Sequence, residues 1–119
     1  NKIDSAIPVY QKGNIQEFLE NSDLEITFYS STAEVYAIIA RKPIVICNFF
    51  HSEQDILVKK GIAVECTDPS TLLEFIEKAN NILEYDKKRD DFINEFMYKP
   101  DGCASERICG EILKLLIIK

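Results

Sequence analysis

The sequence predicts an α/β domain with an open, mostly parallel sheet of about four strands, helices on both faces and further helices at the C-terminal end. Three observations predict it. Short apolar runs of strand character alternate with segments whose apolar residues recur at helical spacing. One run, Pro43–Phe50, is nearly continuous Ile, Val and Phe, the pattern of a strand covered on both faces. Helix-start signatures stand between the runs, and parallel strands require crossover helices of that kind. The 119 residues suit one domain with a single core, and the 46% hydrophobic and 29% charged fractions are those of a globular chain.

Taken in order, Ala6–Tyr10 is a short strand candidate. Asn14-x-x-Glu17 fits a capping box, and behind it Ile15, Phe18 and Leu19 mark one apolar helix face. Leu24–Tyr29 alternates Leu24, Ile26 and Phe28 against Glu25, Thr27 and Tyr29, the period of a strand whose apolar face is the first set. Thr32–Ala40, rich in Ala, Glu and Ile, reads as a buried helix, and Pro43–Phe50 as the strand after it. Gly61 breaks the chain before a fourth strand, Ile62–Cys66. Asp68-Pro69 starts a helix with Asp as N-cap and Pro at the first position, followed by a stripe of Leu72, Ile76, Ala79 and Leu83. Phe92, Ile93, Phe96 and Met97 mark a shorter helix closed by Pro100-Asp101-Gly102. From Cys103 a last helix is expected to turn Ile108, Ile112, Leu115 and Leu116 inward.

Composition excludes several classes. Net charge is −6, and the largest basic cluster, Lys87-Lys88-Arg89, lies beside Asp86, Asp90 and Asp91, so it reads as a solvated helix start. No basic face for nucleic acid is present. No apolar run approaches the ~20 residues of a membrane helix, and no secretory signal opens the chain. Cys47, Cys66, Cys103 and Cys109 form no C-x-x-C pair, and a single histidine leaves little for zinc. All four read as reduced thiols of a cytoplasmic protein, Cys47 and Cys66 as core residues. No cofactor is expected.

The candidate site is Ser30-Ser31-Thr32. Ser31-x-x-Glu34 is a capping box, which accounts for these residues structurally. A second reading is compatible with it. A strand delivers the chain to its carboxyl end, a helix begins there, and its free N–H groups and positive dipole end suit a phosphate. Ser30, Ser31, Thr32 and the Ala33 N–H are the candidate diphosphate ligands. His51 and Asn48 stand at the carboxyl end of the next strand and are possible ligand contacts, with an exposed loop histidine and a loop-capping asparagine as the plainer readings. Ser105-Glu106-Arg107 reads as a solvated helix start, and Arg41-Lys42 as cations at a helix C-terminus.

The stretch "SDLEITFYSSTAEVYAIIARKPIVI" resembles the strand-helix-strand unit in the C-terminal, Rossmann-like domain of GT-B-fold enzymes. These are the nucleotide-sugar glycosyltransferases, the related UDP-N-acetylglucosamine 2-epimerases and the CDP-glycerol-type polymer transferases. Asp23, Ser31, Thr32, Ala37, Lys42 and Pro43 stand at matching places. Gly61-Ile62-Ala63-Val64 and "DPSTLLEFIEKA" resemble the next strand and helix. "FMYKPDGCASERICGEI" looks like the tail segment of the polysaccharide-biosynthesis members. The resemblance implies a domain that binds a UDP- or CDP-type sugar, with Ser31, Thr32 and the following amides at the phosphates. Tyr36 stands where the family's ribose-binding glutamate falls, making it a possible ligand contact, and Arg41 stands where the family has glycine.

Two β-α units and an N-terminal domain of that family have no counterpart here. Residues 1–119, opening on Asn1, are therefore expected to be one domain cut from a longer enzyme. Its open sheet edge would be filled by the missing part or by a second copy. The alternative, to which Tyr36 and Arg41 lend weight, is a non-catalytic α/β interaction module that has lost its ligand. A flavodoxin-like receiver is disfavoured, because no phosphorylatable Asp closes the first strand.

Overall fold

The computed structural model describes residues 6–117. A three-stranded parallel sheet runs in the order β1 (Glu25–Thr27), β2 (Ile44–Cys47), β3 (Val64–Cys66). Six helices surround or follow it: α1 (Ile15–Glu20), α2 (Ser31–Ile39), α3 (Ile56–Lys59), α4 (Leu72–Asn80), α5 (Tyr85–Phe92) and α6 (Ala104–Ile117). A 3-10 turn at Pro69–Thr71 leads into α4, and a wide π turn at Ile93–Met97 extends α5.

The α/β class and the parallel sheet agree with expectation; of the four expected strands the first, Ala6–Tyr10, does not form, and three are present among the described residues. Ala6–Tyr10 is exposed and takes no strand conformation, and Tyr10 stacks on Phe18 with ring centroids 4.9 Å apart. Pro8 within it has no N–H to give a ladder.

Local signals explain the helix starts. Asn14 Oδ1 accepts from the Gln16 N–H at 2.9 Å, Asp55 from Leu57 N at 2.7 Å and Asp68 from Ser70 N at 2.8 Å. Gly61, at φ 72°, closes α3 in a left-handed turn that glycine adopts without strain.

Two apolar layers sandwich the sheet. On one face Ile44 and Ile46 meet Ala37 and Ile38 of α2, Leu57 of α3, and Phe92 and Ile93 of the C-terminal half. On the other, Val45 and Cys66 meet Ala79 of α4. Cys47 and Cys66 are register partners on adjacent strands, both buried.

The alternation in β1 is present, and its polar set is the buried one. Glu25 and Thr27 are buried, while Ile26 and Phe28 are 45% and 58% exposed. The reason is coverage: α2 lies over the Glu25/Thr27 face, whereas α4 lies over β2 and β3 and leaves the other side of β1 open.

Three further readings are corrected at the C-terminal half. Arg89 is buried rather than solvated: its guanidinium donates to Ile38 O at 2.6 Å and Ile39 O at 3.1 Å, satisfying end carbonyls of α2. Tyr85 Oη adds a bond to Lys42 O at 3.1 Å. Leu83, expected on the α4 stripe, lies beyond the helix end and is exposed. The third correction is larger. No residue of α6 is buried, and Ile108, Ile112, Leu115 and Leu116 all face solvent. The chain spans 61 × 33 × 26 Å with a radius of gyration of 17.7 Å. A compact domain of this length would have about 13.5 Å. Thus α6 is an arm.

Candidate functional site

The helix start at α2 stands at the carboxyl edge of the sheet, directly after β1. Its N-cap is Ser30, not Ser31, with φ −118° and ψ 93°. The Ser30 hydroxyl makes no capping bond. The reciprocal half of the capping box is present one residue out of register. Glu34 Oε1 accepts from the Ser30 N–H at 3.0 Å, while the Glu34 N–H donates to Ser30 O at 2.9 Å. The N–H groups of Ser31, Thr32 and Ala33 are thereby left without acceptors inside the helix, as at any α-helix start. Ser30, Ser31 and Thr32 are exposed and Ala33 is half-buried.

Chain geometry around this mouth is unusual. Tyr29, immediately before the N-cap, has φ 72°, and His51, in the loop after β2, has φ 52°. Neither is glycine, and left-handed backbone at such residues concentrates where the surrounding structure holds it for a purpose. Sequence reasoning missed Tyr29, because a positive φ leaves no trace when the residue is not Gly or Asn. Its hydroxyl donates to Glu53 O at 3.3 Å, tying the first loop to the second.

Carboxylates ring the mouth. Partial burial, then the charges of Glu65, Asp55 and Glu34, raise the Tyr29 pKa above its usual value. Burial and the Asp55 charge raise that of Glu34, partly opposed by the Ser30 N–H. Behind them Glu25 is 7% exposed, and both of its carboxylate oxygens lack a hydrogen-bond partner. Burial foremost, with Glu34 adding to it, pushes Glu25 up to about 7.

The other expected contacts divide. Asn48 is buried and fully engaged: Nδ2 donates to Ser52 O at 2.9 Å and Glu65 Oε2 at 3.2 Å, and Oδ1 accepts from Ser52 N at 2.8 Å. It shapes the loop that carries His51, whose side chain is exposed at the same edge. Tyr36 is not at the mouth. It lines a cleft of ≈ 580 Å³ with Leu19 of α1, Ile39, Lys42 and Pro100. Thus Ser30, Ser31, Thr32, Ala33 and the His51 loop come together, and Tyr36 stands apart. Among the described residues no three His, Cys, Asp or Glu side chains are grouped to hold a metal ion, and no helix is long and apolar enough to cross a membrane.

The arrangement offers an anion two or three amides and three hydroxyls, inside a rim that repels bare negative charge. It therefore favours a ligand carrying hydroxyl or N–H donors beside its anionic group. Comparison with family models, curated proteins and solved structures found no match.

Proposed function

We propose that this chain is the nucleotide-sugar-binding portion of a glycosyltransferase or sugar epimerase of polysaccharide or glycoconjugate biosynthesis. The diphosphate of a UDP- or CDP-type sugar lies against the Ser31, Thr32 and Ala33 N–H groups and the Ser30–Thr32 hydroxyls. One observation carries the reading: an exposed helix start, its first-turn amides unused, at the carboxyl edge of a parallel sheet. The acidic rim fits the same ligand class, because sugar and ribose hydroxyls donate to carboxylates such as Glu65 and Asp55. Position 41, glycine in the family the sequence resembles, has φ 58° here, the backbone a glycine would adopt. Arg41 keeps that turn, with Lys42 N donating to Ala37 O at 2.9 Å.

Titration of the ¹⁵N-labelled chain with UDP and CDP tests this. Shifts confined to Ser30–Glu34 and the His51 loop are expected. Ser31→Pro deletes one amide at a helix position where proline is tolerated, and is expected to weaken binding about tenfold. Unmoved Ser31–Ala33 amides at millimolar nucleotide would exclude the site.

A second reading, the non-catalytic interaction module, is favoured by Glu34, which has already claimed the Ser30 N–H that an anion would also seek. It calls for no nucleotide effect on melting and for a stable assembly through exposed elements.

A further inference from the structure

Among the described residues no strand pairs with the outer edge of β1, and its hydrogen-bonding pattern is readable. Glu25 N donates to Pro43 O at 2.9 Å, so Glu25 and Thr27 direct their main-chain groups to β2, and Ile26 directs its N–H and C=O outward. Leu24 and Phe28, two residues to either side, have the same outward sense. On one side of this edge Ile26 and Phe28 leave large apolar surface in solvent, with Phe28 edge-on to Phe49 at 5.3 Å.

We propose that the occupant of this edge is a second copy of the chain, paired β1 to β1, antiparallel, about a two-fold axis at Ile26. The two three-stranded sheets then join into one of six strands. In that register Ile26 faces Ile26 of the partner subunit and exchanges both main-chain bonds with it. Leu24 faces the partner's Phe28 by the same rule. Glu25 faces the partner's Thr27 across a non-hydrogen-bonded pair, where side chains approach most closely. One operation therefore satisfies two deficits: the open ladder at Ile26 and the exposed apolar surface of Ile26 and Phe28. A two-fold interface must be self-complementary in this way, and strand addition draws its affinity from the main-chain bonds this edge leaves free. The pairing does not depend on nucleotide binding, so failure of either proposal leaves the other standing.

Light scattering on the chain across a micromolar concentration series is expected to approach twice 13.6 kDa. Ile26→Lys sets two charges against each other on the axis and should return the monomer, with circular dichroism unchanged because Ile26 is 45% exposed. Should Ile26→Lys fail to fold, Ile26→Cys decides the matter. Under mild oxidation by diamide its two introduced thiols should join across the axis, and peptide mapping should find position 26 linked to position 26. A monomer at every concentration overturns the proposal and leaves the edge to a different chain. A dimer whose Ile26→Cys variant gives no such link, or one that only Ile112→Glu in α6 dissolves, overturns it equally.

Discussion

The central strand β2 and the arm α6 are both written in Ile, Val and Leu, yet they end in opposite environments. All four residues of β2 are buried, and none of α6 is. The difference teaches that apolar residues acquire their worth from what the fold stacks against them. Strand β2 lies between two strands and beneath α2 and α4, whereas α6 leaves the body beyond Gly102 and no described residue covers its stripe. The accessible surface, 8964 Å², reflects this. A compact chain of this mass would expose about 6,600 Å². The sharpest break in the comparison is Ile46→Ala. Ile46 is fully buried against the α2 layer, so the truncation opens a cavity that close-packed neighbours fill only in part. Urea unfolding should show a loss of about 2–5 kcal/mol.

Strand β1 is intermediate between the two, half covered, and it holds the next largest effect. Glu25 has a folded pKa of about 7 against an ordinary 4.5. Its raised value means the neutral form is the one the fold accepts. The contribution is fully present below pH 4.5, declines as pH climbs, and is lost once pH passes 7. The linked loss is at most about 3 kcal/mol, and less wherever solvent or a small strand movement relieves the charge. Melting curves from pH 5 to 8 should show declining stability. Glu25→Gln, unable to ionise, should flatten most of that slope, leaving the smaller share that belongs to Glu34, whose pKa is raised in the same direction. A slope unchanged in Glu25→Gln would mean that the carboxyl finds water.

What the sequence could and could not announce follows the same division. Helix starts at Asn14 and Asp68 were legible because a cap acts within two residues of itself. Strand β2 was legible because a strand buried on both faces needs no choice of face. In β1 the alternation was plain but its sense was not, since period two says nothing about which side a helix will cover. The arm α6 failed for the same reason on a larger scale: a stripe shows that a helix has an apolar face, and the partner for that face lies elsewhere. Arg89 was hidden inside a charge run, and only the position of α5 against the end of α2 turns it into a capping group. At the candidate site, Ser31 and Thr32 sit at the tip of β1 as the turn residues indicated. Asn48 takes the loop-capping role that was one of its two readings, and Tyr36 faces the α1 cleft, because helix register and loop position fix direction without fixing neighbours. The Ser30 cap differs by one residue from the expected Ser31, within the range over which helix ends shift.

The smallest expected effect bears on the arm itself. Ile112 stands mid-way along α6, flanked at helical spacing by Ile108 and Leu115, and is 51% exposed. In a packed helix an Asp at such a place would cost several kcal/mol through a buried charge. On an arm in solvent the backbone keeps its bonds, and the side chain merely exchanges apolar surface for hydrated surface. Ile112→Asp should therefore move the unfolding free energy by no more than about 0.5 kcal/mol, plus the few tenths that separate Asp from Ile in helix propensity. Chemical denaturation beside Ile46→Ala makes the contrast quantitative. A loss for Ile112→Asp approaching that of Ile46→Ala would show that the arm folds back onto the body in solution, and α6 would then belong with β2 as core.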